Sequence, residues 1–498
     1  MNFELLALII YFAAMLGIGV AFFFKSKASS DKDYFLGGRS MGPWVTAMSA
    51  QASDMSAWLL MGLPGSILAF GLGQAWIGIG LAIGTALNWI FIARRLRRFS
   101  QAANDSITLP QYLSNRFATK SKTLQIICAI VFLICFTVYV ASAFVAGANV
   151  FTSIFNVEKS VAMLIFAVIL IVYTFLGGYK AVCWTDFFQG ILMLVAVLAV
   201  PIIIVLTKDL DTLVLNNTVV YGDISYKFIT NIFAAPATEI VSGLAWGLGY
   251  FGMPHILVRF MAIKKPSMVK RSATVAIIWV VLSLAAVIVI AYFGRILIGE
   301  ELLANGAQQM VFIELARDLF PAFIAGILLS AIIAASMSTA DSQLLVASSS
   351  FTSDIYKPII RKNASDKETL WIGRGVVLIV AAIAYFIASS EGDGAQAIMN
   401  LVENAWAGFG SAFGPVVILS LFWRRFTYKG AIAGVVTGAL VDVLWLAFLS
   451  APTGLYEIIP GFAASMIAAI VVTLLDKHPS ADVTAIYDEA TKPITDEE

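Results

Sequence analysis

Three stretches of an otherwise apolar chain carry the groups that could do chemistry. The first, SAQASDMSAW (49–58), sets Ser49, Ser53, Asp54 and Ser56 between two short apolar halves. A charge at a bilayer centre costs at least ~2.5–3.5 kcal/mol. Asp54 and Ser53 could therefore cap a half-helix or pair with a neighbouring span; alternatively the stretch is unwound and its freed carbonyls and amides bind a ligand. The second, GLAWGLGYFGMP (243–254), packs four glycines and a proline into a dozen residues, which disfavours a regular helix. The third, AASMSTADSQ (334–343), places hydroxyls on adjacent helical positions. They could bond back to the preceding turn or donate oxygens to a hard cation. Carbonyls of an unwound helix plus two hydroxyls suit a monovalent ion, whereas calcium would ask for several carboxylates.

Other chemistries find little support. Two histidines, His255 and His478, are too few for a histidine metal site. The three cysteines, Cys128, Cys135 and Cys183, fit neither a disulfide framework nor zinc spacing. No HExxH pattern is present, and no Ser/His or paired-Asp arrangement stands at suitable depth, so the chain does not read as an enzyme. A net charge of +1 gives no footing for nucleic acid. A channel would need a polar lining across several spans, but here the polar clusters share one depth.

These stretches must be held by elements the composition defines. Of 498 residues 60% are hydrophobic and only 13% charged, against about 25% in a soluble domain, and mean hydropathy is +0.89. A chain with so few charges cannot coat several soluble domains, so it is a polytopic membrane protein in a lipid bilayer. Spanning helices need about 20 apolar residues, and thirteen candidates fit: 3–24, 42–70, 73–92, 123–152, 160–178, 185–206, 234–258, 272–294, 319–349, 370–390, 396–423, 428–449 and 455–475. The first lacks a basic flank and a cleavage site and reads as a retained helix. With the N-terminus outside and the C-terminus in the cytoplasm, 27 of the 32 Lys and Arg fall on inner segments. Only Lys159, Lys208, Lys227, Arg295 and Arg317 lie outside, the asymmetry expected of short loops. Twelve spans would break that alternation. Residues 102–122 read as an amphipathic surface segment, and 477–498 as a short polar tail.

The broken second and seventh spans lie five apart. If spans 2–6 and 7–11 are inverted repeats, the breaks are corresponding members, and paired interrupted spans point to a secondary transporter's binding site. The chain then divides into 1–41 (first helix and loop), 42–206 (first repeat), 207–423 (second repeat with its preceding outer loop), 424–476 (two peripheral spans) and the tail 477–498.

At these residues the chain resembles the sodium/solute symporter family. The motifs are LGGRSMGPW (36–44), SAQASDMSAWLLMGLPG (49–65), FLGGYKAVCWTDFFQG (175–190), SMSTADSQLLVASSSFTSDIYK (336–357) and WRRFTYKGAIAGVVTG (423–438), and the likeness covers nearly the whole chain. The resemblance implies an all-α, LeuT-like fold with a five-plus-five inverted repeat and sodium-coupled uptake across a bacterial cytoplasmic membrane, with no cofactor beyond the co-transported sodium ion. It implies a sodium site of carbonyls from Ala52, Met55 and Ala335 and hydroxyls from Ser338 and Thr339, with Asp54 in support. Tyr139 and WGLGYFGMPHILVRFMA (246–262) resemble the members that carry L-proline. By that resemblance Tyr139, Trp246, Tyr250 and Pro254 contact the substrate, and Ser56 lies where its carboxylate is expected. Those members carry Gly where Ala57 stands here, and a methyl at a close backbone approach would shrink the pocket.

A small zwitterion such as L-proline needs donors for its carboxylate, aromatic faces or carbonyls for its ammonium and an apolar wall for its ring. Trp246 and Tyr250, four apart, share a face wherever that segment is helical; ordinary packing would place them equally well. Another small solute of the same family (a sugar, pantothenate or another osmolyte) is the alternative. Asp186, after the GGYK turn, could cap its helix or pair with Arg39 or Arg374.

Overall fold

The computed structural model describes residues 3–25, 31–176, 178–221, 224–391 and 396–493. Helix α1 (Phe3–Lys25) is followed by the short α2 (Asp31–Leu36) and a turn at Gly37–Arg39. Two half-helices come next, α3 (Pro43–Met55) and α4 (Leu63–Phe70). Helix α5 (Ala75–Leu87) runs through Asn88–Ala93 into α6 (Arg94–Ala102). Then follow α7 (Leu109–Arg116), α8 (Thr123–Phe155), α9 (Lys159–Leu176) and α10 (Tyr179–Thr207). A hairpin of β1 (Thr218–Tyr221) and β2 (Ile224–Lys227) pairs Thr218 with Lys227. Beyond it lie α11 (Ala237–Ala245), α12 (Pro254–Ala262), α13 (Val269–Ala304) and α14 (Val311–Leu319). Helix α15 (Ala322–Ser349) continues through Ser350–Ile360. The chain ends with α16 (Asp366–Glu391), α17 (Ala397–Phe422), α18 (Tyr428–Phe448), α19 (Ser450–Thr453), α20 (Ile458–Leu475) and α21 (Ala481–Thr491).

Among the described residues, ten helices are long and apolar enough to cross a membrane. An eleventh is counted if α11, its following turn and α12, bent by 43°, are one span. Expected spans 42–70 and 160–178 appear instead as shorter apolar helices, Trp58–Phe70 and Lys159–Thr174. The first is cut short by its own polar run. Large apolar side chains such as Ile134, Ile202, Ile379 and Val443 stand exposed. In water they would form a sticky surface; in lipid they are solvated. The helices satisfy their own backbone groups, as a hydrocarbon medium demands.

Helix α15, buried along most of its length, packs against α1, α3, α8 and α10, and α17 packs against α8 and the turn after α11. Small residues permit the tightest approach. A Cβ on Gly84 of α5 would stand 2.4 Å from the carbonyl oxygen of Gly247, and one on Gly80 2.4 Å from that of Gly243. Backbones can touch this way only where side chains are absent. Helices α18 and α20 pair with each other on the flank of α17.

At one end of the bundle the hairpin is tied down by the buried Arg295, which donates to the carbonyls of Leu68, Asn216 and Tyr226. At the other end, segment 102–122 departs from the expected surface strip. Helix α7 buries Tyr112 and Arg116. Part of the tail, expected only to be polar, forms α21 and docks on α6 and α7. The cause is the last turn of α17, whose carbonyls lack intrahelical partners. Arg116 donates to Ser420 O at 3.0 Å and also to Val483 O of α21. Arg95 donates to Leu421 O at 2.9 Å, and the hydroxyl of Tyr487 on α21 to Phe422 O at 3.2 Å.

Candidate functional site

Both suspected breaks are present. Helix α3 ends at Met55 because Ser56 takes φ +45° and ψ −173°, a conformation that L side chains rarely adopt. Trp58–Gly62 resumes as a wider helical turn before α4. The Ser56 Oγ accepts the Trp58 amide at 3.1 Å, capping that second half. Ala57 has ordinary right-handed helical angles, so its backbone does not require glycine. On the other broken span, α11 stops at Ala245, Trp246–Phe251 forms a tighter turn, and Met253 is extended before Pro254 opens α12. Pro254 suits that first helical position because it has no amide to leave unpaired. Freed carbonyls in the turn are taken up by other helices. Asn88 donates to Tyr250 O at 3.0 Å, and the Trp406 indole to Trp246 O at 2.8 Å.

The last turns of α3 face the middle of α15. The Ser338 hydroxyl lies 2.8 Å from Ala52 O and the Thr339 hydroxyl 3.4 Å from it, while Ser338 Oγ is also 3.3 Å from Ala335 O. Four of the five expected cation ligands thus converge. The fifth, Met55, is the buried last residue of α3, where the helix breaks. All the donors are oxygens, and none is a carboxylate. Such a neutral hard-oxygen set fits a monovalent cation better than a divalent one.

Beside this cluster the two broken spans are joined. The Tyr250 hydroxyl donates to Asp54 Oδ2 at 2.6 Å, and the Tyr139 hydroxyl to Asp54 O at 3.3 Å. A nearly closed cavity of about 10 Å³, room for about one water, is lined by Asp54, Met55, Trp58, Tyr139, Trp246 and Tyr250, with Leu81, Val402 and Trp406 completing the wall. Trp58 stacks on Trp246 with ring centroids 5.4 Å apart; Trp406 and Tyr456 also lie against Trp246. Tyr139, Trp246 and Tyr250 are therefore brought together, whereas Pro254 lies outside the cavity wall and acts on it only through the bend.

On the hairpin side, Trp246 is also part of the wall of a vestibule of about 450 Å³ that carries Gln74, Glu239 and Glu403. Gln74 donates to Glu239 at 2.6 Å. The stacked tryptophans thus stand between vestibule and inner cavity.

On the opposite side, Asp186 of α10 and Arg259 of α12 form a buried ion pair at 3.0 Å. Ser49 of α3 donates to Asp186 at 2.6 Å, and Arg259 also reaches Ser342 of α15. This corrects the pairing of Asp186 with Arg39 or Arg374. Arg39 instead binds Asp105 at 2.8 Å, Ser106 O at 2.9 Å and Met261 O. Arg259, counted from sequence as an inner-loop cation, lies inside α12. Burial pushes the Asp105 carboxyl up, but the hydrogen bonds and charges of Lys32 and Arg39 outweigh it and hold it below the usual carboxylate range.

Sequence reasoning missed Trp58, Trp406 and Arg259. Trp58 stood inside the break motif, and Arg259 was a charge in an apolar stretch, so both carried a signal. Trp406 carried none, since its role depends on where α17 lies.

The fold matches solved transporters. It superposes on a sodium-coupled sialic acid symporter, captured substrate-bound and outward-open, with TM-score 0.75, 18% identity and coverage of 96% of this chain and 98% of that one. Mhp1, a nucleobase-cation-symport-1 family transporter in a closed conformation, gives TM-score 0.55 at 14% identity, covering 93% and 99%. The fold, with its broken helices, is thus one that these solved transporters share. The sodium:solute symporter family model matches residues 34–438. The chain is 45% identical to the sodium/proline symporter of Haemophilus influenzae over 98% of each chain. It is 45% identical to that of Escherichia coli K12, covering 92% and 90%, and 43% identical to the high-affinity proline transporter PutP of Bacillus subtilis, covering 94% and 98%. The chain belongs to the sodium:solute symporter family.

Proposed function

We propose that this protein imports L-proline together with sodium across the bacterial cytoplasmic membrane, driven by the inward sodium gradient. The observation that carries this reading is the convergence of Ala52 O with the hydroxyls of Ser338 and Thr339, next to a small aromatic cavity at the joined breaks. Relatives 45% identical over nearly the full length are named for sodium and proline.

In this reading sodium is held by the carbonyls of Ala52, Met55 and Ala335 and the hydroxyls of Ser338 and Thr339. Asp54 supports the site by fixing Tyr250 and the end of α3, without being a ligand. Proline enters this cavity when the aromatic wall parts, with its carboxylate toward the amides of the break near Ser56, where a half-helix presents its positive end. Its ammonium lies against the faces of Tyr139, Trp246 and Tyr250, and Pro254 sets the bend that aims them. Apart from Asp54, whose carboxylate is engaged by Tyr250, the wall is aromatic and aliphatic, which favours this compact zwitterion over a sugar that would call for several amide and carboxylate side chains.

The finer architecture belongs to the same reading. Thirteen spans result when the bent pair, the α3 and α4 pair and α9 are each counted as one. Spans 2–6 (42–206) and 7–11 (207–423) form the inverted repeats, flanked by 1–41, by 424–476 and by the tail 477–498. With the N-terminus outside, the vestibule faces out, while the Arg259 pair and the Arg39 cluster close the cytoplasmic path. Sodium orders α3 against α15, substrate draws the tryptophan stack shut, and one set of helices rocks against the other.

Purified protein in sodium-free liposomes tests this with labelled proline. Concentrative uptake is expected under an inward sodium gradient and not under a matched potassium gradient. Equal uptake under both would remove the coupling; no uptake by folded, sodium-binding protein would remove proline as the substrate.

A further inference from the structure

Helix α15 and the wider segment Ser350–Ile360 that continues it carry a second polar station, roughly 24 Å beyond Ser338 along the same axis. Its centre is Asp354, fully buried where that segment packs on α7 and α8. Asp354 Oδ1 accepts two hydrogen bonds, from Thr108 Oγ1 at 2.9 Å and from Gln125 Nε2 at 2.7 Å. Asp354 Oδ2, Gln125 Oε1 and the Ser350 hydroxyl are buried as well. Among the described residues none of these three oxygens has a hydrogen-bond partner.

Other hydroxyls of the same stretch behave differently. Ser349 donates to Val346 O at 2.9 Å and Thr352 to Ser348 O at 2.8 Å, the ordinary arrangement of a hydroxyl on a helix. Ser350 makes no such bond and stands one wide turn before Asp354, on the same face. A buried polar atom without a partner costs its full desolvation, and a carboxylate in an apolar surround costs more. Lys122, just before α8, acts on Asp354 through its charge, but no ion pair joins the two among the described residues.

The three unpartnered atoms share one chemistry. A carboxylate oxygen, an amide oxygen and a hydroxyl oxygen are all hard donors. Together they carry one negative charge, which balances a monovalent cation. A divalent ion would ask for more carboxylates, and among the described residues no group of three His, Cys, Asp or Glu side chains could hold a metal.

We infer that Asp354, Gln125 and Ser350 form a second monovalent-cation site, which takes sodium. The ion ties the continuation of α15 to the start of α8. In the orientation proposed above, the site lies on the cytoplasmic side of the first sodium cluster and gives a departing ion a second resting point along α15. Only that placement rests on the transport reading; binding is measured without proline.

The test is equilibrium binding of radiolabelled sodium to the purified full chain in detergent. Wild type is expected to bind two ions per chain at saturation and Asp354→Asn one. Ser350→Ala, which keeps the charge, is expected to weaken the second ion by roughly fivefold, and it serves should Asp354→Asn not fold. Displacement of the Asp354-dependent ion alone by excess potassium would keep a monovalent site and make potassium its occupant. Unchanged binding in Ser338→Ala would sink the cluster between α3 and α15, while Asp354→Asn still decides this site. A single wild-type sodium that survives Asp354→Asn, or folded Asp354→Asn and Ser350→Ala variants that bind sodium as wild type does, overturns the inference.

Discussion

Tyr250 donates its hydroxyl hydrogen to Asp54 Oδ2 at 2.6 Å, across 196 residues of sequence. One hydrogen bond thereby ties the broken end of α3 to the unwound turn after α11, so the cation ligands and the aromatic wall share a support. A buried hydrogen bond contributes about 0.5–1.5 kcal/mol. Tyr250→Phe should therefore raise the sodium concentration for half-maximal uptake by roughly 2- to 10-fold. Asp54→Asn should do likewise, and a double-mutant cycle should show the two effects overlapping. Fully additive losses would mean that the contact does not link the two sites.

Ser338→Ala removes one oxygen from the ion cluster. The half-saturating sodium concentration should rise by at least about tenfold, equivalent to ~1.4 kcal/mol, and Thr339→Ala should act in the same direction. Thr339→Ser, which keeps the hydroxyl, should stay near wild type. Because coupling between ligands is reciprocal, the proline KM should rise at low sodium and recover at high sodium. Sodium titrations of uptake check this; an unchanged sodium dependence in Ser338→Ala would exclude that hydroxyl as a ligand.

Arg259→Gln leaves Asp186 buried without its cation, and breaking a buried pair from one side costs about 3–5 kcal/mol. The unfolding temperature should fall clearly in Arg259→Gln and recover when Asp186→Asn is added. Differential scanning fluorimetry in detergent reads this out. A double variant no better than Arg259→Gln alone would show that the pair is not the source of the loss.

Asp105 gives the cluster around Arg39 a pH dependence with a definite sign. Its folded-state carboxyl lies below the usual range because Lys32 and Arg39 hold the charged form. The stabilisation is therefore fully present above the unfolded value of about 3.9 and is lost as pH falls through the lower folded value. This contribution should be full and constant between pH 5 and 8 (roughly the plateau of ionised carboxylates), with an acid limb below it. Asp105→Asn should flatten that limb; an acid limb identical to wild type in the variant would count against the assignment.

The spanning helices and both breaks were legible in the chain because their causes are local. A helix in lipid meets its own backbone demand, so a run of apolar residues declares itself without reference to partners. Four glycines and a proline after Ser242 weaken a helix wherever it sits. Asp54 among small polar residues is costly in any apolar surround. The hydroxyls of Ser338 and Thr339 were visible for the same reason. Counting was less secure. The α3 and α4 halves and α9 fall short of the length and hydropathy that mark a span, because breaking a helix for function also erases part of its membrane signal.

Composition, hydropathy and the spacing of small polar residues by themselves determined that this is a helical membrane protein with two interrupted spans and a cluster of hard oxygens. These follow from the cost of placing each residue in lipid, which needs no neighbour. Only the tertiary structure decided that Asp186 meets Arg259 rather than Arg39, that Trp406 backs Trp246, and that α21 folds onto the orphan carbonyls of α17. Each of those contacts joins positions tens to hundreds of residues apart, and its energy depends on distance and burial, which exist only once the helices have packed.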